Sequence, residues 1–171
     1  NTSNVTTFQA MFQNTEVFNG AIGNWDVSNA TRVASMFEQA KAFNRDISGW
    51  DLTNAENLTA MFRGADAFNQ AINNWRFPNA DRLNQMFQEA EAFNQDISDW
   101  ETSNITDMSS MFEDALAFNQ PVNDWDVSAV TSIRNIFEGA IAFNQNFDGW
   151  VFNENLTSLS DFLKDANSFD Q

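Results

Sequence analysis

The stretch AFNQDISDW, residues 92–100, decides the fold because versions of it recur along the whole chain. AFNRDISGW, AFNQAINNW, AFNQPVNDW and AFNQNFDGW also end on a tryptophan. The tryptophans follow one another at a strict spacing of 25 residues, at Trp25, Trp50, Trp75, Trp100, Trp125 and Trp150. A period of this length predicts stacked supersecondary units that bury their apolar faces against each other.

The repeat extends over the whole sequence, so we expect a single repeat domain, 1–171, of about seven 25-residue coils. We also expect it to be part of a longer array. The last unit aligns with the others only if one extra residue is placed near 153–155, within an expected turn. Turns at the surface are where a stack of repeats tolerates insertions.

Within one unit, the stretch NATRVASMFEQAKAFN (29–44) has apolar residues at Val33, Met36, Phe37 and Ala40. These i, i+3, i+4, i+7 spacings are typical of an amphipathic helix of about three turns. Asn29 is suited to cap its first N–H groups. The sequence therefore predicts one short helix in each coil.

A turn is expected between the helix and each tryptophan. The two residues before every Trp are drawn from Gly, Asn, Asp and Ser, which favour tight turns and tolerate positive φ. Such a turn allows Ile47 and Trp50 to point inward together, with Leu52 on the same face. Stacking these short extended pieces predicts an α/β solenoid, leucine-rich-repeat-like, with one short helix and short parallel β-segments per coil.

Several residue types return at the same place in every coil. The Phe, Met and Trp positions predict buried columns, because each shares a face with other apolar residues. A row of exposed Trp platforms is the alternative for the six tryptophans. The asparagines that follow Phe are expected to bridge backbone groups of adjacent coils. They are Asn19, Asn44, Asn69, Asn94, Asn119 and Asn144.

Composition excludes several classes of function. A net charge of -16 argues against nucleic acids and anionic membranes, which bind basic surfaces. The chain has no Cys and no His, so thiolate metal sites, thiol nucleophiles and the commonest general base are absent. No apolar run is long enough to cross a bilayer. The sequence therefore predicts a protein that is not an enzyme and has no membrane span.

Acidic residues form rows on the outward-facing positions, and these rows are the expected binding surface. One row directly follows the tryptophans and is interrupted by Arg76, and the other acidic residues lie one or four residues before a tryptophan. They are Asp26, Asp46, Asp51, Asp96, Asp99, Glu101, Asp124 and Asp126. Stacked carboxylates suit Ca²⁺, although no calcium-loop motif is present. The alternative is an acidic face that keeps the stack soluble.

Asn-x-Ser/Thr triplets raise the question of N-glycosylation. They begin at Asn1, Asn4, Asn29, Asn57, Asn104 and Asn155. In a secreted eukaryotic protein the last five would be candidate glycan sites. The same triplets also match a turn followed by a capping residue, so both interpretations stay open.

The units resemble a known repeat. MFEQAKAFNRDISGWDLTNAENL (36–58) and MFEDALAFNQPVNDWDVSAVTSI (111–133) are similar to the 25/26-residue repeat of BspA-like leucine-rich-repeat surface proteins, found in bacterial surface proteins and mycoplasma lipoproteins. Ile136, Arg76 and Val151 depart from that pattern. The resemblance implies an extracellular or cell-surface protein without catalytic residues.

These observations predict a non-enzymatic surface module for adhesion or for binding a protein or glycan partner, with no cofactor other than Ca²⁺ as a candidate. A second hypothesis is a structural subunit that stacks end to end into an extracellular filament. A third, weaker hypothesis is a carbohydrate- or calcium-binding surface module.

Overall fold

The structure, a computed structural model, describes all residues 1–171. It contains no helix and no extended strand. Strand-like pairing is confined to four isolated parallel bridges, Thr7–Arg32, Arg32–Asn57, Arg82–Asp107 and Asp107–Ser132. The predicted α/β solenoid, with its short helix and its likeness to leucine-rich repeats, is therefore wrong. The backbone is instead a succession of turns.

The turns form coils that lie on one another, with each residue next to its counterpart 25 positions away. We number the coils in chain order, and each of the first six ends at a tryptophan. Coil 1 is 1–25, coil 2 is 26–50, coil 3 is 51–75, coil 4 is 76–100, coil 5 is 101–125, coil 6 is 126–150, and coil 7 is 151–171.

One side of each coil, here called the turn ladder, comprises residues 33–40 in coil 2 and their counterparts. Its N–H groups alternate between two kinds of acceptor. The N–H groups of Met36, Glu38 and Ala40 each donate to the carbonyl three residues earlier, within the same coil. The N–H groups between them donate to the next coil, as from Phe37 to Met61 at 2.9 Å.

Positive φ angles make a helix impossible on the turn ladder. Ser35 has φ of 57° and Gln39 has φ of 58°, in the left-handed region that interrupts an α-helix. Their counterparts in the other coils have the same conformation. They are Ala10, Asn14, Ala60, Gly64, Gln85, Glu89, Ser110, Asp114, Asn135, Gly139, Asp161 and Asp165.

The helix prediction is wrong because an amphipathic helix and the observed series of turns bury the same positions. Overlapping turns direct Val33, Met36, Phe37 and Ala40 inward, and all four are buried. A helix would bury the same four residues, so periodicity alone does not separate the two. The neighbouring coil supplies acceptors that a helix would find within itself.

The tight turn before each tryptophan is present, with the Trp50 N–H donating to Ile47 at 3.1 Å. However, none of the residues just before a tryptophan has positive φ, so that part of the prediction is wrong. At Gly23, the next coil lies too close to leave room for a side chain. A Cβ on Gly23 would lie 2.4 Å from the carbonyl oxygen of Asp46 in the next coil.

A single hydrophobic core runs through the stack, as predicted from the repeated apolar positions. The Phe37 ring lies 5.5 Å from both Phe12 and Phe62, and 4.0 Å from Phe43 in its own coil. The Met column is buried from Met36 onward. Two parallel columns of stacked phenyl rings thus form the centre of the protein.

Coil 7 contains the extra residue. On the turn ladder, backbone bonds between coils join residues 24 apart as far as Asp114 and Glu138, but 25 apart from Asn135 and Ser160 onward. In coil 3 the turn Leu52–Ala55 starts two residues after Trp50, so the equivalent turn of coil 7 is expected to start at residue 152. It starts at Asn153 instead and ends at Leu156. The extra residue therefore lies within 151–153, at the edge of the predicted position.

Candidate interaction surface

The side of the coil opposite the turn ladder, here called the tryptophan side, comprises residues 44–55 and their counterparts. No backbone-to-backbone hydrogen bond joins neighbouring coils here. Side chains do so instead. The indole Nε1 of Trp100 donates to the carbonyl of Ile72 at 3.0 Å, and Trp50, Trp75, Trp125 and Trp150 make the same bond to the coil before them.

These tryptophans are core residues. Trp50, Trp75, Trp100, Trp125 and Trp150 are all buried, and Trp25 in coil 1 is half-buried. The prediction of buried columns is confirmed for the interior coils. The alternative of a row of exposed binding platforms is excluded, because the rings face the phenyl columns.

The asparagine column bridges adjacent coils as predicted. The side-chain oxygen of Asn94 accepts from the N–H of Asn119 at 2.9 Å and from the Gln120 amide at 2.9 Å. The other bonds of the column have the same pattern, and its last N–H is that of Asp170. No buried side-chain polar atom is left without a partner.

Most of the predicted acidic residues have a local structural role. The carboxylates of Asp26, Asp46, Asp51, Asp96 and Asp126 accept from the N–H two residues later. Ser or Thr at that position also donates its hydroxyl, as from Thr53 to Asp51 at 2.6 Å. These Asx turns are favoured by the backbone alone and need no ligand.

The same bonds lower the pKa of these five carboxyl groups. For Asp26, Asp46, Asp51 and Asp126 the hydroxyl contributes most and the N–H next. For Asp96 the N–H of Ser98 contributes most to the lower pKa. A hydrogen bond to the charged form favours ionisation, so all five are carboxylates at neutral pH.

Four of the predicted acidic residues come together in one place. Asp99, Glu101, Asp124 and Asp126 line a shallow groove, with Ser98, Trp100, Thr102 and Ser103 as its other walls. The Oε1 atom of Glu101 lies 3.6 Å from the Nε atom of Arg76, which occupies the equivalent position in the preceding coil. We call this the acidic groove. Asp46 borders a different groove, beside Arg45, and Asp26, Asp51 and Asp96 lie outside both.

The calcium interpretation gains no support. No group of three or more acidic side chains is arranged to hold a metal ion. Ca²⁺ takes six to eight oxygen ligands, typically several from one compact loop. The acidic groove is open instead, and its carboxylates belong to coils 4, 5 and 6.

The glycosylation candidates differ in their surroundings. The Nδ2 atoms of Asn29 and Asn104 donate to carbonyls of the preceding coil, at 2.7 and 3.0 Å. Asn57 is half-buried, and its side-chain oxygen accepts from the Thr59 N–H. Asn4 and Asn155 are exposed at the surface. These two positions therefore offer the most accessible amides.

One cluster on the turn ladder was not anticipated. Glu38 is only 7% exposed, and its carboxylate accepts from Gln13 at 2.8 Å and from Arg63. Burial is the largest single influence and opposes its ionisation. Hydrogen bonds from Ser35, Arg63 and Gln13, with the charge of Arg63, outweigh burial and lower the pKa of Glu38. The 25-residue spacing of Gln13, Glu38 and Arg63 was the sequence feature that would have revealed it.

Comparison with known protein families adds an assignment. A family model described as "Mycoplasma protein of unknown function, DUF285" matches residues 1–88 and 74–171. The chain belongs to this family. The match agrees with the mycoplasma part of the resemblance, and it names no BspA-like surface protein. No curated protein and no solved structure matches the chain.

The family description assigns no activity. The structure has no helix that is long and apolar enough to cross a membrane. Four of the eight predicted acidic residues converge on the acidic groove.

Proposed function

We propose that this chain is a non-enzymatic module that binds a protein partner, with the acidic groove receiving a cationic segment of that partner. The observation that supports this most directly is the convergence of Asp99, Glu101, Asp124 and Asp126 on one open groove. Asp99 and Glu101 flank Trp100, and Asp124 and Asp126 flank Trp125 one repeat later, so two successive repeats direct four negative charges to the same groove. A lysine- or arginine-rich segment is the complementary ligand.

The electrostatics favour such a partner. With a net charge of -16, the whole chain attracts cations at long range and accelerates their encounter with it. Within the groove, Asp99 and Asp124 are exposed. The Glu101–Arg76 pair is also exposed, and pairs of this kind contribute little free energy. A cation of the partner can therefore replace Arg76 at small cost.

The division between core and surface also supports a binding role. The Trp and Asn positions that join the coils hardly change from one unit to the next, while the outward position after each Trp is Asp, Arg, Glu or Val. A constant frame with changing surface residues is how repeat proteins vary their partners. The resemblance to BspA-like surface proteins supports a cell-surface or extracellular location for this proposed binding.

The test compares two variants of equal net charge. The groove variant combines Asp99→Asn, Glu101→Gln and Asp124→Asn, and leaves the turn-capping Asp126 in place. The control combines Glu89→Gln, Glu91→Gln and Asp114→Asn, three acids that line a groove elsewhere on the stack. Binding of a lysine-rich dodecapeptide is measured by calorimetry at physiological salt.

We expect the groove variant to lose about tenfold in affinity, because charge-paired contacts at one site are removed. The control should retain the affinity of the unmodified chain within about twofold, since distant exposed charges are screened at this salt concentration. Equal losses in both variants would mean that the peptide responds only to overall charge, and the proposal would then be wrong.

A further inference from the structure

A groove on the turn ladder differs in charge from the other grooves of the stack. It crosses coils 4, 5 and 6, and two adjacent positions of each coil line it. The lining residues are Asn84, Gln85, Ser109, Ser110, Arg134 and Asn135. Arg134 is the only charged residue among them, whereas four other grooves of comparable size each contain at least one carboxylate. We call this the polar groove, and its charge suits an anionic ligand.

The guanidinium group of Arg134 is available to such a ligand. Arg63, Arg76 and Arg82 each lie within ion-pair distance of a carboxylate. Arg45 donates to a backbone carbonyl of the preceding coil. Arg134 is exposed and makes neither kind of contact. A guanidinium group presents a planar fork of N–H donors that matches the two oxygens of a carboxylate.

The neutral side chains of the polar groove offer both donors and acceptors. The amide of Asn84 uses its oxygen within the protein, which leaves its Nδ2 atom free to donate. The amides of Gln85 and Asn135 use their nitrogen atoms, which leaves their oxygens free to accept. The hydroxyl of Ser110 can do either. A sulfate ion only accepts and would leave the two free oxygens unpaired, whereas a ligand that carries hydroxyl groups beside its acid group satisfies both kinds of atom.

The floor of the polar groove is fixed before any ligand arrives. Gln85, Ser110 and Asn135 have φ of 59°, 56° and 57°, so the three side chains leave the backbone in the same way in successive coils. The N–H groups of Gln85 and Ser110 donate to the next coil at 2.9 and 2.8 Å. A backbone that is already ordered lowers the entropic cost of binding.

We propose that the polar groove binds an acidic sugar unit of a glycan, with the carboxylate of the sugar on Arg134 and its hydroxyl groups on the neutral side chains. No apolar residue lines the groove. This favours a sugar over an acidic peptide, because protein–protein interfaces are built around an apolar centre. The polar groove lies on the other side of the coil from the acidic groove, so neither proposal depends on the other.

The experiment follows the backbone amide chemical shifts of the full chain by NMR during titration with sodium glucuronate. Glucose, sodium acetate and sodium sulfate are titrated separately at the same ionic strength. Glucose has the hydroxyl groups without the carboxylate, acetate has the carboxylate without the hydroxyl groups, and sulfate is an anion without either. A hexaglutamate peptide tests the alternative of an acidic protein partner.

Two variants and one control assign the contacts. Arg134→Ala removes the guanidinium group, and Arg32→Ala is the matched control, because Arg32 is also exposed and unpaired but lies outside the groove. The double variant Gln85→Ala, Ser110→Ala removes contacts to the sugar hydroxyls only. Ala60 has φ of 54° at the equivalent position of coil 3, so the backbone accepts alanine there.

We expect glucuronate to shift the amides of the polar groove and to bind at least about tenfold more tightly than glucose or acetate, since each of these lacks one set of contacts. Arg134→Ala should weaken glucuronate binding about tenfold. Arg32→Ala should change it by less than about twofold, because distant exposed charges are screened. The double variant should weaken glucuronate binding about threefold and leave acetate binding unchanged.

Each of the opposite results would overturn the proposal. Glucuronate could leave the groove amides unshifted, or acetate or sulfate could bind as tightly, which would mean that the groove attracts any anion. Equal binding of glucose would mean that the guanidinium group contributes nothing. Equal losses in Arg134→Ala and Arg32→Ala would indicate a response to overall charge alone. Tighter binding of hexaglutamate at the same amides would indicate a protein partner instead of a glycan.

Discussion

The turn ladder and the tryptophan side join neighbouring coils by different kinds of hydrogen bond. On the turn ladder, neighbouring coils are joined by backbone groups, as between Phe37 and Met61. On the tryptophan side they are joined by side chains, as between the Trp50 indole and the Ile22 carbonyl. The difference decides which residues are free to change. Backbone bonds are available to any residue, whereas an indole or an amide is not.

The repeated sequence reflects this division. The outward position next to Ser35 on the turn ladder is Ala34 in coil 2 and Thr59, Asn84, Ser109 and Arg134 in the following coils. By contrast, Trp and the Asn column are constant through the first six coils. Outside the buried columns, residue identity is thus fixed where side chains join the coils and variable where the backbone does; the Phe37 column on the turn ladder is constant because it is packed in the core.

The largest expected effect comes from removing one of the joining side chains. Trp100→Ala should lower the free energy of unfolding by about 3–5 kcal/mol, because it leaves a cavity against Phe87 and removes the bond to Ile72. On the turn ladder, Arg134→Ala should change it by less than about 0.5 kcal/mol, since Arg134 is exposed. Urea unfolding measures both. Similar costs for the two would contradict the comparison.

A smaller effect on stability is expected from replacing a glycine, and one glycine on each side of the coil allows the comparison. Gly64 on the turn ladder has φ of 62°, and Gly49 on the tryptophan side has no atom near its missing Cβ. Gly64→Ala should destabilise the chain by about 1–2 kcal/mol, because an L-residue is strained at this φ. A Cβ there would also displace the Gln39 side chain.

Gly49→Ala is the control for that substitution, and its effect should lie within about 0.5 kcal/mol. Thermal unfolding of the two variants side by side gives the comparison. If Gly64→Ala proved as harmless as Gly49→Ala, positive φ on the turn ladder would carry no cost, and the twelve other L-residues with that conformation would need another explanation.

The smallest effect concerns acid. The folded-state pKa of Glu38 lies below the unfolded value of about 4.3. Its ionisation therefore adds stability above that pH, and the contribution is lost as the pH falls through the folded-state pKa. Asp96 on the tryptophan side has a lowered pKa for a different reason, its Asx turn, and it is exposed.

Glu38→Gln should therefore flatten the decline of the melting temperature between about pH 5 and pH 2 more than Asp96→Asn does. Asn retains the Asx turn of residue 96, while Gln at residue 38 loses the charge that faces Arg63. The measurement is a series of melting curves against pH. An equal flattening by both variants would show that the contacts of Glu38 with Arg63 and Gln13 add nothing beyond what an exposed Asx turn provides.

Much of the fold was predictable because the repeat makes the core unambiguous. The buried Trp100, the phenyl columns and the bridging Asn94 follow from positions alone. The backbone conformation did not follow, since Val33, Met36, Phe37 and Ala40 suit overlapping turns as well as a helix. What separates the two structures is the acceptor supplied by the next coil, and a single unit does not contain that information.

The candidate surface was predictable only in part. The acidic rows were found, but Asp51 and Thr53 also match the Asx-turn pattern, which explains that carboxylate without a ligand. The convergence of Asp99 and Asp124 depends on how adjacent coils align, and sequence spacing alone gives no distances. Glu38 was missed because its partners, Gln13 and Arg63, lie in two other coils.

The indole bond has a consequence for how such a chain evolves. Each unit contributes one indole donor and one turn carbonyl, and its indole always uses the carbonyl of the unit before it. Copying or deleting a whole unit therefore leaves the number of donors equal to the number of acceptors along the array. Gene duplication lengthens this protein without creating an unpaired polar group, whereas a frameshifted or partial copy would separate an indole from its acceptor.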